Sequence, residues 1–464
     1  MSQGVFLNSI GYCVLAAGMG SRLKLNIPKV VLPICGKPMI LHVLDSINQV
    51  KKESDLIGVV LGHKKELVEK TINSIDYISC HQKKQLGTAD AVKSYFESSP
   101  LLSKTKYTMV MCGDTPLLSS SALDQLSEKI MESDTDAVVA TFLMDNPFGY
   151  GRVKREDLNI EIVEEKDASD LEKMIKEVNS ALYIFKTSFL KDALEKIDNN
   201  NAAKEYYLPD VFRLSSKSTS IIFTEREEFL GVNTLIQAAE IEKIMQKKII
   251  INHQLNGVRF VLPETTYIEK RVEIASGVVV ESHSTIKGKT KIGKNALIEA
   301  GCYIQDTIIE DEVHLLSQTR CEDAIIKKSS VIGPFARIRP GTIIGEKCKV
   351  GNFVETKKSI LENEVKISHL SYVGDAEIGS GTNIGCGFIT CNYDGEKKHK
   401  SIIGKNCFIG SDSQLIAPIK LGDRVYIGSG STINRDVPSD AFAIARERQV
   451  IKEGLSKKFI KKKE

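Results

Sequence analysis

The chain has 464 residues, 42% hydrophobic and 27% charged, an ordinary globular composition but too long for one hydrophobic core, so two or three domains are expected. Lysine and arginine number 63 against 60 acidic residues, and a formal balance of +3 is too small to point to nucleic acid. Ten cysteines fall in no Cys-x-x-Cys pair and no His-Cys cluster at metal-ligand spacing, which excludes a zinc module or a disulfide framework and implies reduced thiols.

The start, MSQGVFLNSIGYCVLAAG, lacks a basic leader region, and no window reaches the roughly 18 uninterrupted apolar residues of a membrane helix. The expectation is a cytoplasmic protein with no membrane and no nucleic acid among its partners. An apolar run over 11–17 ends in a Gly turn, Leu15-Ala16-Ala17-Gly18-Met19-Gly20-Ser21-Arg22. Small residues let backbone N–H groups approach phosphate oxygens, and a helix N-terminus following the turn would add positive potential. Arg22 and Lys29 supply fixed cations there. Alone, a Gly-x-Gly turn is weak evidence. Further strand-length runs are 57–61 (IGVVL), 107–112 (YTMVMC) and 137–143 (AVVATFL), with helical stretches at 41–50 and 121–131 between them. Strands alternating with helices predict an α/β domain, Rossmann-like, with a mostly parallel sheet covered on both faces.

Between 234 and 254, Ile236, Ala239, Glu240, Ile241, Ile244, Met245 and Ile249 predict one long amphipathic connecting helix. A period of six then takes over. It holds Ile274, Val280, Ile286, Ile292, Ile298 and Ile304; returns at Ile332, Ile338, Ile344 and Val350, then Ile378 and Ile384; and closes on Ile403, Ile409, Leu415, Leu421, Ile427 and Ile433. Six fits neither a 3.6-residue helix nor a lone strand. It fits a left-handed parallel β-helix of hexapeptide repeats, with the apolar residue on the axis and the frequent following glycine permitting a tight corner. Residues 310–329 lose the frame, and 391–400 (CNYDGEKKHK) reads as a loop thrown out of the prism. The expected domains are 1–233, a linker helix 234–254, and 255–464. The basic run 457–463 reads as a solvated tail.

LAAGMGSR at 15–22 and PKVVLPICGKPM at 28–39 resemble the signature of sugar-1-phosphate nucleotidylyltransferases. QLGTADAV (85–92), CGDTPLL (112–118), NPFGYGRV (146–153), VEEKDAS (163–169), EVNSALY (177–183) and GVNTLIQ (231–237) narrow it to the bacterial bifunctional N-acetylglucosamine-1-phosphate uridylyltransferase/glucosamine-1-phosphate N-acetyltransferase family, in family order. The resemblance implies in-line attack of a sugar phosphate on the α-phosphate of UTP, where positioning and charge neutralisation dominate. It implies Asp114 and Asn233 as Mg²⁺ ligands, with Lys29 and Arg22 stabilising the triphosphate as catalytic residues. Leu15, Ala16, Ala17, Gly18, Gln82, Gly87, Thr88, Cys112 and Gly113 would meet the nucleotide. Gly151, Glu164 and Asn179 would hold the N-acetylglucosamine part. Asp90 stands where the family commonly has His, and Ala181 where it commonly has Gly.

In the second half, ARIRPGT (336–342), GNFVETKKS (351–359) and HLSYVGDAEIGSGTNIGCG (369–387) resemble the same family's acetyltransferase part. Acetyl transfer needs a neutral amine, and imidazole titrates near neutrality, so His369 suits the general base. The resemblance assigns Arg339, Lys357, Tyr372, Asn383 and the loop residue Lys398 to glucosamine 1-phosphate. It assigns Cys386, Asn392, Tyr393, Ser411, Ser429 and Arg446 to acetyl-CoA. Cys386 and Ser429 occupy positions commonly Ala, so backbone contacts are expected there, and direct transfer needs no nucleophilic cysteine. The family further implies a homotrimer built through the β-helix and a product that feeds peptidoglycan and lipopolysaccharide synthesis. Two competing readings are a monofunctional nucleotidylyltransferase with a structural β-helix and a non-catalytic regulatory subunit of similar build. The first need not keep His369 with Asn383 and Lys357, the second would be expected to lose Lys29, Asp114 or His369, and all of these are present.

Overall fold

The structure is a computed structural model and describes residues 8–156 and 159–460; the ends of the chain, including the last lysines of the basic run, lie outside that description. The chain divides into two compact units, Met1–Met245 and Gln246–Glu464.

The first unit is built on a twisted sheet whose strands run, edge to edge, Ser218–Phe223, Ala137–Leu143, Glu177–Lys186, Tyr107–Cys112, Ile10–Ala16, Leu56–Leu61 and Ile78–His81. All pairs on this path are parallel except those of Glu177–Lys186, which is antiparallel to both neighbours. Near-continuous apolar strands such as YTMVMC follow from burial on both faces, and two apolar clusters fill the two sides. The helices Met39–Val50 and Ser120–Ser133 contribute to one of them; Ser119 caps the latter by accepting from Ala122 N at 3.1 Å.

The phosphate turn departs from expectation. It leads only into a 3₁₀ turn, Ser21–Leu23, closed by left-handed Lys24, and not into a long helix. Positive potential at the turn therefore comes from side-chain cations and loop N–H groups.

The helix Leu235–Leu255 forms as expected, but its buried residues include Ala238, Ile241, Met245 and Ile249, with Ile250 next to them; Ile236 is 74% exposed, and Ala239 and Glu240 are exposed too. The spacing of 3 and 4 puts the first four on one face, and Ile236 is too far round the helix to join it.

In the second unit three parallel sheets of 11, 10 and 9 strands form the sides of a prism. One interior column is Ile274, Ile292, Ile309, Ile326, Ile344, Leu361, Ile378, Ile403 and Leu421. The prism does not break over 310–329. Ile309, Leu315, Cys321 and Ile326 continue it with fully buried side chains. Coils there take 17 residues, as in Ile292↔Ile309 and Ile304↔Cys321, so a strict period of six slips by one residue per coil. The 391–400 loop is real: Ala376 pairs with Ser401, 25 residues on.

The glycines after the axial apolar residues also act differently from expectation. Gly293 and Gly410 are not left-handed. A Cβ on Gly293 would lie 2.6 Å from Asp311 N, and one on Gly410 would lie 2.5 Å from Ser429 N. They are needed because the next coil's backbone passes over them.

Candidate functional site

The parallel strands Ile10–Ala16, Leu56–Leu61 and Tyr107–Cys112 all end at one edge of the first unit's sheet, where ligands of open α/β sheets bind. A cleft of about 440 Å³ opens there. Its lining includes Leu15, Ala16, Ala17, Gly18, Lys29, Gln82, Gly87, Thr88, Cys112 and Asp114, most of the nucleotide residues expected from the sequence. Gly113 N donates to Leu15 O at 2.9 Å and ties the two strand ends together. A Cβ on Gly18 would meet nothing within 4 Å, so the space beside that residue is open. Burial pushes the Cys112 thiol up to about 12, helped by the Asp114 carboxylate, and keeps it protonated.

Asp114 and Asn233 are 119 residues apart in sequence, and the fold joins them: Val232 N donates to Asp114 O at 3.1 Å. Lys29 Nζ pairs with Asp114 Oδ2 and donates to Asn233 Oδ1 at 2.8 Å, and Arg22 donates to the same oxygen at 3.0 Å. One carboxylate and one amide oxygen thus converge on a cation, the donor set a hard divalent metal accepts when phosphates and water complete its shell. Gly151, Glu164 and Asn179 also come together: Asn179 N donates to Gly151 O at 2.9 Å, and a Cβ on Gly151 would lie 3.3 Å from Glu164 Oε1. Burial, then the Asp210 and Asp167 carboxylates, raises Glu164 above the usual carboxylate range. The Asn179 amide is engaged by its own strand, donating to Tyr183 OH at 2.6 Å and accepting from Ala181 N at 3.0 Å. Ala181 has φ +61, a left-handed conformation at an irregularity of the strand, which accounts for the glycine usual there.

On the prism, His369 ends the strand Lys366–His369 and lies beside Asn352, one coil earlier. His369 Nδ1 meets Asn352 Oδ1 at 3.1 Å, an acceptor that in the neutral ring favours the proton on Nδ1 and the lone pair on Nε2. Around the corner, Arg339 pairs with Glu355 at 2.6 Å, and Glu355 lies beside Tyr372 in the strand register. The Lys398 ammonium beside Lys357 holds that lysine below the usual range, with Arg339 adding to the effect. Three cations therefore gather at one place, and the loop carrying Lys398 reaches the column that carries Lys357. Asp394 braces this loop, accepting from Glu396 N and Lys397 N at 2.8 and 2.7 Å and pairing with His399 at 2.5 Å.

Cys386, Ser411 and Ser429 stack one per coil: Asp412 N donates to Cys386 O at 2.7 Å and Gly430 N to Ser411 O at 2.8 Å. Arg446 lies beside Gly430, and Tyr393 is exposed. Asn392 is buried, and its amide donates to Asp375 at 2.6 Å, so it fixes the neck of the loop.

Sequence reasoning missed several residues. Gln85 donates to Ala17 O, and Glu205 lines the nucleotide cleft. Arg152, 2% exposed, pairs with Glu165 at 2.7 Å behind the sugar residues. Asn352 was findable, because it precedes His369 by one 17-residue coil.

Three family models match: the MobA-like NTP transferase domain over residues 12–180, the GMPPB C-terminal domain over 268–354, and six repeats of the bacterial transferase hexapeptide over 400–435. The chain is 42% identical over 451 residues to the bifunctional protein GlmU of Listeria monocytogenes serotype 4a (strain HCC23), covering 96% of this chain and 97% of that one. The chain belongs to the bifunctional GlmU family. It is 43% identical over 445 residues to the Fervidobacterium nodosum member, covering 96% of each chain, and 42% identical over 438 residues to that of Thermosipho africanus, covering 94% and 95%. A solved UDP-glucose pyrophosphorylase complexed with UDP-glucose aligns with 51% of this chain and 98% of its own at 18% identity and TM-score 0.40, too distant to bear on the site. Membership across both halves favours two activities over a monofunctional enzyme with a structural β-helix. Among the described residues no helix is long and apolar enough to cross a membrane.

Proposed function

We propose that the chain makes UDP-N-acetylglucosamine in two steps, acetylating glucosamine 1-phosphate in residues 255–464 and uridylylating the product in residues 1–233, with 234–254 as connector. The observation that supports this reading is that one chain gathers Lys29, Arg22, Asp114 and Asn233 in its first unit and Arg339, Lys357 and Lys398 on its prism, with His369 beside Asn352.

In the acetyl step, Arg339, Lys357 and Lys398 hold the substrate phosphate, where three cations that repel one another gain from a dianion between them. Asn352 orients His369 through Nδ1, and Nε2 takes the proton as the amine attacks the thioester carbonyl. The carbon–sulfur bond breaks and coenzyme A leaves. The Cys386, Ser411 and Ser429 column, with Arg446, forms the acetyl-CoA wall.

In the uridylyl step, the sugar phosphate oxygen attacks the α-phosphate of UTP and pyrophosphate leaves. Lys29 and Arg22 face the triphosphate, the Gly18 turn admits its oxygens, and Gly151, Glu164 and Asn179 hold the sugar. Asp114 and Asn233 would hold Mg²⁺, which neutralises phosphate charge when bound. The protein acts in the cytoplasm on small-molecule substrates, and its product feeds peptidoglycan and lipopolysaccharide synthesis. It assembles as a homotrimer through the prism; stacked Phe335 and Phe353, ring centroids 5.5 Å apart and both more than half exposed, support an apolar prism edge that seeks cover.

Mass analysis of products tests the reading. Glucosamine 1-phosphate, acetyl-CoA, UTP and Mg²⁺ together should give UDP-N-acetylglucosamine. Omitting UTP should stop at N-acetylglucosamine 1-phosphate. Failure to form the acetylated intermediate would refute the first step, and failure to convert added intermediate would refute the second.

A further inference from the structure

Resting on the reading that the first unit binds a uridine nucleotide, we propose that Asp90 is a positioning residue that locks the amide of Gln82 and thereby selects uracil over cytosine. Gln82 follows the strand Ile78–His81, its backbone N–H donates to Leu61 O at 2.9 Å, and it lines the nucleotide cleft with only 5% exposure. Its backbone is therefore fixed and its amide has little room. The Nε2 atom donates to Gly87 O at 3.1 Å and to Asp90 Oδ2 at 2.8 Å. Asp90 comes from the first turn of the helix Thr88–Ser98.

The identity of the two amide ends is set by chemistry. A backbone carbonyl and a carboxylate accept and cannot donate. Turning the amide over would put its oxygen against two other oxygens, one of them charged. The nitrogen must face inward, and both its hydrogens are then used. Among the described residues no hydrogen bond reaches Gln82 Oε1, so that oxygen is the acceptor left for a base.

An acceptor at this place discriminates pyrimidines. Uracil carries a donor at N3–H. Cytosine carries a lone pair at N3, which an amide oxygen repels. A glutamine free to turn over could serve either base, so discrimination comes from whatever fixes it. The histidine common at position 90 in the family can present either a donor or an acceptor, whereas a carboxylate presents only an acceptor. The Gly87 carbonyl already favours the nitrogen inward, and Asp90 adds a second, charged acceptor that strengthens this orientation in this chain.

The full-length protein is assayed for uridylyl transfer to N-acetylglucosamine 1-phosphate with UTP, CTP and 3-methyl-UTP, with melting temperature and acetyl transfer of the same preparation reporting folded enzyme. Asp90→Ala should lower the UTP-to-CTP ratio of kcat/KM by about tenfold, the scale of one hydrogen bond to a charged group. The change should fall on KM for UTP, because base recognition is made before the phosphoryl step. Asp90→Asn can turn its amide oxygen toward Gln82, whose nitrogen the Gly87 carbonyl already holds inward, and should restore part of the ratio, which a purely structural role for the charge would not allow. The native protein should use 3-methyl-UTP at least tenfold less well than UTP, and this measurement decides the matter if the alanine variant does not fold. A native ratio in Asp90→Ala, an asparagine variant no better than alanine, or equal use of 3-methyl-UTP would each overturn the proposal. A native protein that turns over no uridine nucleotide would instead refute the reading of the first unit.

Discussion

Replacing Gly18 by alanine separates a glycine kept for a ligand from one kept for the fold. Nothing lies within 4 Å of the added Cβ, and the backbone there is not left-handed, so the folded protein accepts the methyl without strain. Alanine narrows the unfolded ensemble, and the expected gain is about 0.4–1 kcal/mol. For a unit of this size that corresponds to a rise of about 1–4 °C in the melting temperature of the first unit. The same methyl stands where phosphate oxygens must approach loop N–H groups. A displacement of about 1 Å at a reacting centre costs on the order of 10²-fold, and uridylyl transfer should fall by that factor while acetyl transfer stays native. Gly410→Ala should do the reverse. Its Cβ would lie 2.5 Å from Ser429 N and 2.7 Å from Ile427 O, both on the backbone of the next coil. Overpacking of this kind costs about 1–3 kcal/mol, and the shift of Ser429 should weaken acetyl transfer while sparing uridylyl transfer. Calorimetry on full-length protein with both activity assays distinguishes the two. A Gly18→Ala protein that melts earlier, or that keeps full uridylyl activity, would refute the assignment of that open space to phosphate.

Lys29→Ala or Asp114→Ala should cripple uridylyl transfer and leave acetyl transfer intact; loss of both in a folded protein would contradict separate sites. Chelation by EDTA should stop pyrophosphate release and spare acetyl transfer, read in parallel assays. His369→Ala should lower acetyl transfer by about 10²- to 10⁴-fold while glucosamine 1-phosphate still binds, and Asn352→Ala should lose part of that factor through the unfixed tautomer; near-native rates in His369→Ala would return the residue to a structural role. Glu172 accepts from Ser169 and pairs with Lys154, which depresses its carboxyl to about 2. A depressed carboxyl stabilises the fold above its unfolded value, about 4.3, and that contribution is lost as pH falls toward 2, so amide protection of the helix Asp170–Lys173 should decrease across that window.

The period of six and the alternation of strand and helix are local properties, because a residue's partner in the coil or its face on the sheet follows from spacing alone. They were sufficient for the two architectures and for most of the axial isoleucines; Gly18, Lys29, Asp114 and His369 were singled out by their resemblance to family motifs and not by spacing. Spacing stopped being sufficient where coils shorten to 17 residues: Cys321 sits on the axis outside the six-residue frame, and 310–329 resembled a break; Thr356 sits on the axis in frame but is polar and does not look like a repeat residue. The role of the glycines after the axial residues was misread for the same reason, since the atoms that exclude a side chain belong to the next coil. Side-chain direction was likewise invisible. Asn392 turns into the loop neck toward Asp375, and Ala181 takes a left-handed conformation where the strand shifts register. The closing of Asn233 onto Asp114, of Lys398 onto Lys357 and of Asp90 onto Gln82 depends on where the chain returns in three dimensions. Sequence supplied the residue types, and tertiary structure decided which of them stand within reach of one another.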